Sequence, residues 1–228
     1  MLENNINNKE PTVKNPVPIS VLAVYCVCFY TAWTIYHFFI LKHIDLLPTE
    51  IVSAVVNDAI GKNLVWTLPA LWLIIKYSDR LAVSIREMFK FKKEDAPYLL
   101  LIPAFAAYIL FGIFIHGGKP AMTITISQIV TVIFVGLTEE LVFRGWLLGA
   151  TAVRGENAAI AVNSVMFLVI HFPRWINEGV FVTNIAQFGF VSIIALSVIF
   201  SLVYLKTKNI ILPIILHMFW DLAIFYLY

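Results

Sequence analysis

The chain has 228 residues, 61% hydrophobic, 14% aromatic and only 13% charged, with a mean hydropathy of +0.87. A soluble domain carries about a quarter of its residues as charge, so an ordinary globular protein is excluded, and long apolar runs separated by short charged loops identify a polytopic membrane protein. Sixteen basic against fourteen acidic residues, a net charge of +2, remove any compositional case for nucleic acid as a partner. Cys26 and Cys28 lie two apart in the first apolar run, on different sides of a helix, and suit neither a disulfide framework nor a metal knuckle.

Residues 1–16 form a polar, Asn-rich tail. The run from Val17 to Leu41 has no Asp, Glu, Lys or Arg. Its length and its continuation through Trp33, Tyr36 and Phe39 predict a retained transmembrane helix rather than a secretory signal. Residues 43–62 have apolar positions at helical spacing interrupted by acids and read as a short interfacial helix. Asn63 to Tyr77 reads as a short second span, with Lys76 placed to snorkel. In 78–96 an apolar stripe of Leu81, Ile85, Met88 and Phe89 opposes Arg80, Arg86, Lys90, Lys92 and Lys93, which predicts a helix lying on an anionic membrane face.

Pro97 to Ile115 is the third span, closed by a turn over 116–120. The fourth runs from about Thr123 to Ala150 and the fifth from Asn157 to Phe172, followed by a loop from Pro173 to Glu178. Residues 179–205 are a long apolar stretch containing Gly189, either one tilted helix or two joined pieces. After a turn over 206–209, the last span covers Ile210 to Tyr228. The expected fold is an all-α bundle of about seven membrane spans, or eight if 179–205 is two pieces, with helical segments over 17–122 and a functional core over 123–228.

With the N-terminus inside, eleven basic residues lie on the cytoplasmic side: Lys9, Lys14, six between Lys76 and Lys93, Arg154, Lys206 and Lys208. Four face outward, Lys42, Lys62, Lys119 and Arg174, and Arg144 lies within a span. This asymmetry follows the positive-inside rule and predicts a plasma-membrane protein with a cytoplasmic N-terminus and an extracytoplasmic C-terminus.

An ionisable group at the centre of a membrane helix costs roughly 2.5 to 3.5 kcal/mol on insertion scales, so it persists where something uses it. Of the first three spans only the first holds such a group well inside, His37, read as a core histidine satisfied by a neighbour. His43 and His116 read as interfacial loop residues. The fourth span holds Glu139, Glu140 and Arg144, the fifth His171, and the last His217 and Asp221. Glu140 precedes Arg144 by four residues, so the two stack and neutralise one another. Glu139 lies about 100° around the helix and is left free for chemistry.

At about 1.5 Å per residue from the cytoplasmic helix ends, Glu139 is roughly 16 Å deep, His171 roughly 22 Å and His217 roughly 12 Å. One shared cavity is therefore permitted. Asp221 is one turn beyond His217, and Phe167 is one turn before His171 and packs beneath it. Gly145 and Gly149 permit close helix contact. A carboxylate and a histidine converging on one water form a general base, and further donors stabilise an oxyanion, which is the equipment of peptide hydrolysis. Two histidines and a glutamate also suit zinc, but zinc peptidases commonly place both histidines on one helix as H-E-x-x-H, which is absent, and the expectation is no metal and no cofactor.

Taken in order, Glu139-Glu140-x-x-x-Arg144, Phe167-x-x-x-His171 and His217-x-x-x-Asp221 on three late hydrophobic helices resemble the signature of the CPBP family. These are the CAAX proteases and bacteriocin-processing or self-immunity (Abi) proteins, whose eukaryotic relatives trim prenylated CAAX proteins. The resemblance covers about residues 123–228. It implies a metal-independent glutamate intramembrane endopeptidase in which Glu139 and His171 activate water, Glu140 and Arg144 support the site, and His217 and Asp221 stabilise the oxyanion. The commonest family residue at the last position is Asn. An amide can donate to an oxyanion and an ionised carboxylate cannot, so Asp221 is either protonated or orients His217.

The expected partners are a peptide or protein substrate at the membrane and the lipid bilayer. The alternative is a non-catalytic immunity or regulatory protein that binds a bacteriocin, peptide or membrane partner. A proton-relay transporter is disfavoured because the spans show no repeated halves with matching broken helices.

Overall fold

The computed structural model describes residues 15–115 and 117–227. Most of the polar tail and His116 therefore lie outside the described residues. Among the described residues there is no strand, and the chain is a helical bundle. Among the described residues five helices are long and apolar enough to cross a membrane: α1 (Ile19–Ile44), α3 (Lys93–Ile115), α4 (Ile126–Arg154), α5 (Glu156–Asn177) and α6 (Gly189–Thr207). Two more complete the bundle, α2 over 50–76 and the shorter apolar α7 (Ile211–Leu227).

Side chains at the helix ends set the helix boundaries. Thr49 Oγ1 accepts from the Val52 amide to begin α2. Thr125 and Gln128 cap α4 reciprocally, each side chain accepting from the other's backbone amide, at 3.2 and 2.8 Å. Phe188 and Lys208, both left-handed at φ 58° and 57°, bound α6. Asn209 Oδ1 then accepts from the Ile211 amide at 2.7 Å and starts α7.

Three local expectations are revised. The interfacial helix over 43–62 and the span over 63–77 are instead one helix over 50–76. Much of it is wide π-type winding, which gives way to α geometry at Leu68, so that Pro69 falls at the start of an α section where its missing amide is tolerated. Residues 78–96 do not form a continuous amphipathic helix. One turn, Ile85–Met88, sits between 3₁₀ segments, and Leu81, Val83 and Met88 are buried in the bundle. Gly145 and Gly149 make room for them: a Cβ on Gly145 would stand 3.0 Å from Ile74 and 3.7 Å from Met88, and one on Gly149 3.8 Å from Leu81.

The loop expected over 173–178 is the final helical stretch Phe172–Asn177, with Pro173 at its first turn. The long stretch after it resolves into two pieces, Phe181–Ala186 and α6.

Helix α7 packs on both α3 and the first half of α4, α6 packs on α5, and the end of α2 packs on the second half of α4. Aromatic rings fill the centre, with Trp66 edge-on to Phe29 at 4.9 Å and to Trp33 at 4.5 Å. The α4/α7 contact, which carries the site, depends on Gly136. A Cβ there would stand 2.7 Å from Met218 Cγ and 3.3 Å from the Met218 amide. Gly136→Val is expected to destabilise the protein by about 1–3 kcal/mol through overpacking, measured as a lowered unfolding midpoint in detergent.

Candidate active site

The chemistry-bearing end of α4 begins where its winding changes. The helix is α-helical through Glu140 and π-helical over Leu141–Leu148, a geometry that proteins use sparingly and often beside functional groups. Glu140 and Arg144 form an ion pair at 3.0 Å, and both side chains are 0% exposed. Glu140 Oε1 also accepts from His217 Nδ1 at 2.7 Å. Arg144 Nη2 donates to the Ser197 carbonyl and hydroxyl, at 3.3 and 3.1 Å, and the guanidinium lies over the Phe167 ring at 4.5 Å. One buried pair on α4 thus holds α7 through His217, α6 through Ser197 and α5 through Phe167.

With Nδ1–H committed to Glu140, the other nitrogen of His217 faces the remaining acids. Nε2 stands 3.8 Å from Glu139 Oε2 and 3.6 Å from Asp221 Oδ2. These separations are longer than a direct hydrogen bond and leave room at the ring edge for a substrate or water atom. The imidazole is fixed from its face by Phe200, stacked at 5.4 Å.

His171 lies at the bend in α5. Its Nδ1 is 3.0 Å from the Phe167 carbonyl. A carbonyl only accepts, so Nδ1 carries the proton and Nε2 keeps its lone pair. Phe167 sits beneath the ring at 5.5 Å, edge to face. Trp33 Nε1–H donates to the Ile170 carbonyl at 2.8 Å and ties this bend to α1.

Glu139, His171, His217 and Asp221 line one cavity of about 930 Å³. Glu140, Arg144 and Phe167 stand behind that wall and hold it. Other cavity-lining residues escaped sequence reasoning. Asp58 and Lys62 on α2 are buried and paired at 2.9 Å; Asp58 also accepts from Thr131 at 2.7 Å and Asn57 at 3.0 Å. Lys62, expected at the outward-facing end of an interfacial helix, is therefore a buried cavity residue within α2. The signal that could have found this pair was its i,i+4 spacing. His37 is buried as expected, edge-on to Trp33 at 4.4 Å, yet it lines the cavity and its Nδ1 has no hydrogen-bond partner among the described residues. Ser197, a small polar residue in an apolar helix, gave no warning of its role.

Lys62→Met would leave Asp58 buried with only neutral donors. It is expected to cost about 3 kcal/mol, the lower edge for breaking a buried pair because Thr131 and Asn57 still donate. Chemical denaturation of Lys62→Met beside the double variant Asp58→Asn/Lys62→Met, expected to recover most of the loss, checks this.

Among the described residues, no group of three or more His, Cys, Asp or Glu side chains is arranged to hold a metal ion. Cys26 and Cys28 are free.

Apolar crossing helices around a buried constellation of carboxylates and histidines define a polytopic membrane protein with an intramembrane polar site. Residues 120–223, which contain all seven of the residues singled out above, match the Type II CAAX prenyl endopeptidase Rce1-like family, and this segment is a domain of the CPBP, or CAAX protease, family. No curated protein and no solved structure matches the chain.

Proposed function

We propose that the protein is an integral membrane endopeptidase that hydrolyses a peptide bond of a membrane-associated peptide or protein, with water activated by Glu139 and His171. The observation that carries this reading is the convergence of the Glu139 carboxylate and the free Nε2 of His171 on one cavity, the latter defined by the Phe167 hydrogen bond. Water held between the two bases gives up a proton as its oxygen attacks the substrate carbonyl carbon. The carbonyl oxygen, now negative, lies within reach of His217 Nε2–H. Collapse of the tetrahedral intermediate breaks the C–N bond, and the proton taken from water passes to the leaving amine.

Glu140 accepts from His217 Nδ1–H and orients the ring, and Arg144 neutralises Glu140. Phe167 sets the bend that presents His171. Asp221, 3.6 Å from His217 Nε2, assists by supporting the charged imidazole rather than by donating. The reaction so written uses no metal or cofactor. The catalytic core is residues 123–228, attached to helices over 17–122, in a multi-pass plasma-membrane protein with its N-terminus cytoplasmic and its C-terminus outside.

The test is hydrolysis of paired peptide libraries, one lipidated and one not, by the purified full chain in detergent, with and without chelator. Cleavage that persists with chelator supports the reading. Loss with chelator that zinc restores, or no cleavage of either library, overturns it.

A further inference from the structure

The helix ends fall into two sets, and the cavity opens at only one. At the first end, Arg154 donates to the Val17 carbonyl beside the start of α1. There too the Ala82 amide bonds the Gly149 carbonyl and the Ile210 amide bonds the Met88 carbonyl, each at 2.8 Å, which brings the 77–92 segment and the α6–α7 turn together. At the opposite end, Ser127 on α4 reaches Glu50 on α2 at 3.4 Å, and the Ala121 amide bonds the Leu227 carbonyl at 3.0 Å.

The cavity runs from Glu139 toward this second end. Its floor is formed by buried Glu139, His217 and His37, and its rim by exposed Asp45, Glu50, Asn177 and Glu178. The sequence gives the two ends very different charge. Lys76, Arg80, Arg86, Lys90, Lys92, Lys93, Arg154, Lys206 and Lys208 cluster at the closed end, whereas the cavity end has Lys42, Lys119 and Arg174. Lys62 and Arg144, both buried within helices, count for neither.

An excess of Lys and Arg in short loops keeps that side of a membrane protein in the cytoplasm. We infer that the mouth of the cavity faces away from the cytoplasm, and that the site takes its substrate from the extracytoplasmic side: a peptide, or the exposed segment of a membrane protein, that has already been exported. The class of reaction that supplies the substrate is then export across the membrane, and the products are released outside. This inference rests on the hydrolase reading for its chemistry, but its geometry does not.

The experiment places single cysteines in a Cys26→Ser/Cys28→Ser background, at the rim (Asp45→Cys, Glu178→Cys) and at the closed end (Lys92→Cys). Intact cells are treated with a membrane-impermeant maleimide. Labelling of the rim positions in intact cells, with Lys92→Cys labelled only after permeabilisation, is the expected result, and the reverse pattern or an unlabelled rim overturns the inference. In parallel, the unlipidated peptide library is added to intact cells and to inside-out vesicles, each with the wild-type chain or Glu139→Gln. Cleavage by the wild type in intact cells alone supports the inference. Cleavage confined to inside-out vesicles overturns it while leaving the hydrolase standing. If detergent-purified protein cleaves nothing, the hydrolase reading fails and the maleimide pattern alone decides the sidedness.

Discussion

Replacing Glu139 by glutamine is expected to lower the turnover of peptide hydrolysis by about 10²- to 10⁴-fold, the range contributed by a positioned general base. The amide matches the carboxylate in size, so packing between α4 and α7 is preserved, but it cannot accept a proton from water. Glu139 is buried, and no partner stands nearer to it than His217 at 3.8 Å among the described residues' ion pairs. Keeping a carboxylate there costs stability, as functional groups inside membrane helices generally do. The Gln variant is therefore expected to unfold no earlier than the wild type while losing activity. Turnover within tenfold of wild type would remove Glu139 from the reaction.

Arg144→Met is expected to act in the opposite way, through stability first. It strips the ion-pair partner from a fully buried Glu140, and breaking a buried pair from one side costs about 3–5 kcal/mol. The remaining contact at 2.7 Å to His217 ties the stranded charge to a cavity-lining imidazole, so activity is expected to fall as well. Because the same guanidinium holds Ser197 on α6 and lies over Phe167 on α5, three helices loosen together. Denaturant unfolding in detergent measures the loss. The double variant Glu140→Gln/Arg144→Met, which removes both charges, is expected to regain part of it. A loss below about 1 kcal/mol for the single variant would mean that Glu140 is not stabilised by this pair.

The two variants separate what the sequence made legible from what it did not. Local periodicity was enough for Glu140 and Arg144, for Phe167 and His171, and for His217 and Asp221, because residues four apart on a helix meet whatever surrounds them. Depth along the helices permits one cavity shared by Glu139, His171, His217 and Asp221, and these four line one. Ser197 was illegible because a serine among apolar neighbours signals nothing until Arg144 arrives from another helix.

Asp58 and Lys62 fall in a stretch that reads as interfacial because acids interrupt its apolar spacing. In the folded chain Asp58 is satisfied by Thr131, 73 residues away. The π winding at Leu141–Leu148 was hidden for a different reason: within eight residues, an apolar pattern fits helices of neighbouring pitch equally well. In 78–96 the apolar spacing suggests a surface helix that does not form, because Leu81 and Met88 pack beside this protein's own Gly149 and Gly145 rather than against lipid.

In the proposed reaction the Glu139–His171 cavity adds water across a peptide bond. Its most direct test is to incubate the purified full-length protein, in lipid nanodiscs, with the peptide library in water enriched in oxygen-18, and to read the fragments by mass spectrometry. New C-terminal carboxylates are expected to carry the heavy oxygen with the wild type, and none is expected with Glu139→Gln. Fragments that form equally with both proteins, or that lack the label, would contradict it.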